Sequence, residues 1–182
     1  MKSKIILING TSCTGKSSVS KLLNSHYGDS FIYLTWDSFL ERINAKETIT
    51  DADKKDLVSV FIREVSAQAK AGDNLILDIV CVPSSTFERL VQAFKEFDLY
   101  KIRMRASVEE LERRELARPD RKNGQAKTQH IQMFYKYTHP EYDLEIDSTD
   151  LSPQEITKHI LRELENFSSL KSKKTRQKDL KI

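Results

Sequence analysis

What this chain lacks narrows what it can be. No apolar run approaches the eighteen or so residues that span a bilayer. The N-terminus has no signal-peptide pattern, because Lys2 and Lys4 lead straight into a short strand-like run. Cysteine is scarce: Cys13 and Cys81 are the only two, too few for a disulfide framework or a cysteine metal site, so both are expected as reduced thiols in a cytoplasmic protein. The histidines, His26, His130, His139 and His159, show no metal-ligand spacing and read as structural. Charge of one sign is not in large excess. A net charge of +3 over 182 residues supports no strong nucleic-acid interaction. The excess gathers at the end, where Lys171, Lys173, Lys174, Arg176, Lys178 and Lys181 meet one acid, Asp179. With no aromatic residue among them, residues 171–182 read as a solvated, flexible tail rather than a polyanion site.

What is present is an ordinary globular composition, 38% hydrophobic and 31% charged, in a length that suits one domain over residues 1–170. Strand-like and helix-like segments alternate, which predicts an α/β fold with a parallel five-stranded sheet flanked by helices. The expected strands are Lys4 to Asn9, Phe31 to Thr35, Leu75 to Leu77 ending at Asp78, Leu99 to Arg105, and Asp143 to Ile146. Leu57, Val58, Phe61, Ile62 and Val65 form one helical stripe, and Phe87, Leu90, Val91 and Phe94 another. Capping boxes are expected at Ser85 with Glu88, Ser107 with Glu110, and Ser152 with Glu155, the last reinforced by Pro153. Residues 44–54 read as a surface excursion.

One motif dominates. Gly10-Thr11-Ser12-Cys13-Thr14-Gly15-Lys16-Ser17 follows the apolar run Ile5-Ile6-Leu7-Ile8 and fits the phosphate-binding loop G-x-x-x-x-G-K-[ST] at a strand-to-helix junction. Gly10 and Gly15 let the backbone turn its N–H groups onto a phosphate. Lys16 is suited to the β- and γ-phosphates, and the Ser17 hydroxyl to Mg²⁺. Ser18 continues the set into a helix whose positive end faces the same point. Val19, Leu22, Leu23 and His26 share the spacing of one helical face after the loop, which argues against a chance match.

A phosphate loop alone does not separate kinases from other nucleotide-binding proteins. No Asn-Lys-x-Asp guanine motif is present. Ligands of open α/β sheets sit beyond the carboxyl ends of the strands, which brings Asp37 and Asp78 toward the loop. Asp78 is suited either to a Mg²⁺-bound water or to capping a strand end, and Asp37 stands where an aspartate can cap the helix that follows it. Arg113, Arg114, Arg118 and Arg121 occupy one arginine-rich block. Arginines on a mobile lid would stabilise the charge of phosphoryl transfer, with Arg114 as a further nucleotide contact. For Arg113, an ion pair along the helix with Glu109, Glu110 or Glu112 is an equal alternative. Trp36 reads either as a wall of an acceptor pocket or as a core residue.

Four blocks, in this order, resemble the chloramphenicol phosphotransferase family: the run from Ile5 through Ser17, Trp36-Asp37-Ser38, Arg114-Glu115-Leu116-Ala117-Arg118-Pro119-Asp120-Arg121, and Tyr142-Asp143-Leu144-Glu145-Ile146-Asp147-Ser148-Thr149. The resemblance implies a nucleotide-kinase-like fold with an Arg-rich lid and transfer of the γ-phosphate of ATP, with Mg²⁺, to a hydroxyl of a small molecule. It assigns Asp37 as general base, Lys16 and Ser17 to the phosphates and the metal, and Arg118 and Arg121 to the lid. The chain departs from the family at Asp78-Ile79, where paired aspartates are the pattern, and at Pro119, where glycine is. Two other readings remain open: a nucleoside or nucleotide kinase, for which Arg42 and Trp36 are the candidate acceptor contacts, and a nucleotide-binding module without chemistry.

Overall fold

The computed structural model describes residues 2–43, 51–81, 84–118, 124–133 and 141–179. Its centre is a five-stranded sheet of β1 (Lys4–Gly10), β2 (Ile32–Thr35), β3 (Leu75–Ile79), β4 (Asp98–Arg105) and β5 (Leu144–Asp147), in the order β2-β3-β1-β4-β5. Every pairing is parallel, with Ile8 opposite Asp78 and Gly10 opposite Met104. A strand in the middle of a parallel sheet is covered on both faces, which is why β1 carries an unbroken apolar run. Alternation along it serves two cores. Ile5 and Leu7 pack with Phe61, Val65, Phe87 and Phe94 of α3 (Asp51–Ala71) and α4 (Ser84–Phe94). Ile6 and Ile8 face Val19, Leu23, Ile156 and Ile160 of α1 (Lys16–Tyr27) and α7 (Pro153–Asp179).

The five strands lie within a residue or two of their expected places. Several local expectations are corrected. The buried face of α1 is Lys16, Val19, Ser20 and Leu23, while His26 is exposed; the face is turned because the loop lysine itself starts it. Helix α4 begins at Ser84, so Ser85 sits inside the first turn instead of capping it. At α5 (Val108–Leu116), Ser107 accepts from the Glu110 N–H, but the Glu110 carboxylate turns to Arg113 and Arg114, so the box is half formed. The box at Ser152 and Glu155 is complete. Helix α3 starts at Asp51, inside the expected excursion, whose residues 44–50 lie outside the described residues. Helix α7 runs to Asp179, into the basic C-terminal segment. Among the described residues, no helix is long and apolar enough to cross a membrane.

At Gly10 the fold demands the absence of a side chain. A Cβ there would sit 2.3 Å from the Met104 carbonyl oxygen of β4. Gly10→Ala must therefore push β1 from β4 just where the phosphate loop leaves the sheet. The expected cost is about 1–3 kcal/mol, a Tm drop of roughly 2–12 °C for a chain of this size, with loss of nucleotide binding. Thermal unfolding with and without nucleotide checks both.

Candidate active site

The loop from Gly10 to Ser17 wraps the N-terminus of α1. Gly15, at φ 89°, is the residue before the first helical turn, and Cys13 also has positive φ at 65°. A non-glycine there costs roughly 1–2 kcal/mol, which the surrounding contacts offset. The Thr11 carbonyl accepts from Lys16 Nζ at 2.8 Å and from Thr14 Oγ1 at 3.0 Å, folding the loop on itself. Asn9, almost fully buried, accepts at Oδ1 from the N–H groups of Gly10 (2.8 Å) and Cys81 (2.9 Å), and donates from Nδ2 to the Tyr142 hydroxyl (2.7 Å). One carboxamide thus ties the root of the loop to the exits of β3 and the segment before β5.

A cavity of about 480 Å³ opens above the loop. Ser12, Cys13, Gly15, Lys16, Ser17 and Ser18 line its floor. Gly10, Thr11 and Thr14 are buried and shape the loop from behind it. At one side Ser17 Oγ donates to Asp78 Oδ2 at 2.6 Å, and the Tyr33 hydroxyl donates to the same oxygen at 3.2 Å. Burial and the adjacent carboxylate push the Tyr33 phenol well above its ordinary range, so it stays a donor. Sequence reasoning missed Tyr33 because its partner lies 45 residues away. Ser17 and Asp78 are an all-oxygen pair of the kind a hard divalent cation takes. Among the described residues no group of three or more His, Cys, Asp or Glu could hold a metal, so a cation at this pair would also need phosphate or water oxygens.

Strand β2 runs into α2 (Trp36–Arg42), and Thr35, Trp36, Asp37 and Leu40 of this junction also line the cavity. Asp37 is not the helix cap. Thr35 is, accepting from the Ser38 N–H at 2.9 Å while the Ser38 hydroxyl accepts from the Thr35 N–H at 3.3 Å. The alternative role for the Asp37 carboxylate is therefore taken by a neighbour, and Asp37 sits in the first turn on the cavity side. Trp36, partly buried, lines the cavity and packs on Phe39 and Phe61, at ring distances of 5.4 and 5.5 Å. Arg42 pairs with Glu64 and lies over the Phe39 ring, and it does not line the cavity.

The arginine block divides. Arg113 is bound through Nε and Nη2 to Glu110, both at 2.7 Å, as a surface ion pair on α5. That pairing holds the Glu110 carboxyl down at about 2. Arg114 turns behind the loop. It donates to the carbonyls of Ser148 (2.7 Å), Thr149 (3.3 Å) and Cys13 (3.3 Å), and to Glu110 at 2.6 Å. The Ser148 hydroxyl completes this brace by donating to the Thr14 carbonyl at 2.9 Å. Arg114 accordingly lies outside the cavity lining and holds the loop from its far side. Arg118, just after α5, does line the cavity. Arg121 lies outside the described residues, as does Pro119. One element absent from the sequence reading, the helix after residue 124, completes the lining. Glu115, buried, accepts from the N–H groups of Gly124 (2.6 Å) and Ala126 (2.8 Å). It thereby fixes the start of α6 (Gln125–Ile131), whose Gln125 and Gln129 reach the cavity together with Gln132 just beyond.

The architecture recurs among solved kinase structures. The APS kinase CysC of Mycobacterium tuberculosis, determined with AMPPNP and APS, superposes with a TM-score of 0.70 at 21% identity, covering 90% of this chain and 98% of that one. A sugar kinase from Janibacter sp. HTCC2649 gives 0.68 at 16% identity, over 90% and 95% of the two chains. A gluconokinase from Sinorhizobium meliloti 1021 gives 0.64 at 16%, over 97% of each. At these identities the likeness establishes the P-loop kinase fold. No curated protein matches the sequence significantly. The family model for chloramphenicol phosphotransferase-like proteins matches residues 3–165, nearly the whole of the described domain, and the chain belongs to that family.

Proposed function

We propose that this protein is an Mg²⁺- and ATP-dependent O-phosphotransferase acting on a hydroxyl of a small molecule, with chloramphenicol and related compounds as first candidates. A single observation carries the reading. One cavity is lined by the phosphate-loop residues Lys16 and Ser17, by Asp78, and by Asp37 and Arg118. A module that only binds nucleotide has no use for a second carboxylate in the cavity beside Asp78.

In this reading the acceptor hydroxyl enters between α2 and the loop and gives its proton to Asp37. The acceptor oxygen forms its bond to the γ-phosphorus as the bond to the β–γ bridging oxygen breaks, and ADP leaves. Lys16 and Arg118 stabilise the charge spread over the equatorial oxygens, with Arg121 as a second lid arginine. Ser17 and Asp78 would hold Mg²⁺, which supplies charge neutralisation at the phosphates when bound. Asn9 and Arg114 keep the loop in shape and take no part in the transfer. Of the two candidate contacts for a nucleotide acceptor, Trp36 lines the cavity while Arg42 is paired with Glu64 outside its lining, which leaves an anionic nucleotide acceptor without its basic contact and favours a small molecule of another kind.

Mass spectrometry of chloramphenicol incubated with the protein, Mg²⁺ and ATP tests the proposal. The expected result is a drug carrying one added phosphoryl group. ATP binding without a modified drug would sink the drug as acceptor and send the search to a metabolite extract. No ATP binding at all would sink the kinase reading.

A further inference from the structure

Ser12 does not direct its backbone N–H to the protein chain of the loop. It donates to Gln129 Oε1 at 2.7 Å, across 117 residues of sequence. N–H groups of a phosphate loop are the ligands of phosphate oxygens. An acceptor oxygen already seated on one of them marks where a phosphate oxygen comes within reach. Ser12 is the third residue of the loop and lines the cavity together with Asp37 and Arg118. Lys16 reaches the β- and γ-phosphates from the N-terminus of α1, and Arg118, the γ-phosphate contact of the kinase reading, lines the same cavity as Ser12 and Gln129.

Gln129 is presented there by a fixed element. Ala126, one turn earlier on α6, is fully buried against Cys13, Ala106 and Leu111, and Glu115 holds the start of the helix through Gly124 and Ala126. The positions 125, 129 and 132 share one helical face, and all three are glutamines lining the cavity. With Oε1 committed to Ser12, the carboxamide has its two Nε2 donors left for the cavity that it helps to line.

Resting on the kinase reading above, we propose that Gln129 is a substrate-contacting residue that reads the terminal phosphate. Its carboxamide is oriented by the Ser12 N–H and donates from Nε2 to an oxygen of the γ-phosphoryl group, distinguishing ATP from ADP. Gln129→Glu separates the two halves of this role, because a carboxylate still accepts from Ser12 but cannot donate and repels the γ-phosphate. Gln129→Met removes both halves at similar size.

The test is calorimetric titration of wild type and both variants with Mg²⁺-ADP and with Mg²⁺-AMPPNP. The expected result is ADP affinity within about twofold of wild type, and AMPPNP affinity about tenfold weaker or more in Gln129→Glu, with a smaller loss in Gln129→Met. Unchanged affinity for AMPPNP in both variants overturns the proposal and leaves the kinase reading intact. Tighter AMPPNP binding by Gln129→Met overturns it as well, because the side chain would then be a competitor for the loop. Loss of ADP along with AMPPNP in a variant would mean that Gln129 merely supports the loop, which also overturns it. Binding of neither nucleotide by wild type overturns both readings together.

Discussion

Asp37→Asn is expected to slow phosphoryl transfer by a factor of about 10² to 10⁴ while ATP still binds. The substitution keeps the shape of the side chain and removes its ability to take a proton. Local structure should tolerate it, because the cap of α2 is made by Thr35 and Ser38 and not by Asp37. The carboxylate lines the same cavity as Lys16 and Ser17, and the backbone of the loop does not depend on it for its turn, which Thr11, Thr14 and Lys16 close among themselves. Titration with nucleotide should give an unchanged affinity. A matching fall in ATP affinity would place Asp37 among the nucleotide contacts and remove it as the base.

Lys16→Ala is expected to abolish nucleotide turnover, a loss of about 10³-fold or more. Lys16 is almost fully buried, with its ammonium on the Thr11 carbonyl at 2.8 Å, poised over the loop from within. The Thr11 carbonyl keeps a second donor in Thr14 Oγ1, so the loop should remain folded without the lysine. The phosphates, by contrast, lose the one cation the loop itself carries. Turnover is read by ADP release, and thermal unfolding serves as the control. A variant that turns over nucleotide at wild-type rates would show that the loop is not the phosphate site.

The fold was legible because its signals are periodic. Ile5 to Ile8 reads as a central strand, and the spacing of Phe87, Leu90 and Phe94 reads as a helix packed on one face; each needs only its neighbours along the chain. The phosphate loop was legible for the same reason, as a contiguous motif between a strand and a helix. Caps were half legible. The Ser152 box is complete, while at Ser107 the Glu110 carboxylate prefers two guanidinium groups to the backbone. Asp37 could be located but not assigned, since a threonine two residues earlier decided its capping role.

The contacts that build the site from afar were not legible. Arg114 reads as a nucleotide contact from its block, yet its guanidinium meets Ser148, 34 residues on, and braces the back of the loop. Nothing in Glu115 or Gln129 announces that one carboxylate closes the base of α6, or that one carboxamide reaches a loop N–H 117 residues away. Such pairs are fixed by the packing of α5 on α6 and of Ala126 on Cys13, which no local pattern encodes.

The central claim is that this cavity moves a phosphoryl group to a hydroxyl through Asp37. The most direct measurement follows label from the γ-phosphate of ATP into organic phosphate, using wild type and Asp37→Asn side by side on chloramphenicol and on a small-metabolite extract. The account predicts a labelled phosphate ester with wild type and about a hundredth of that rate or less with the variant. Label released only as inorganic phosphate, or an ester formed equally fast by both proteins, would contradict it.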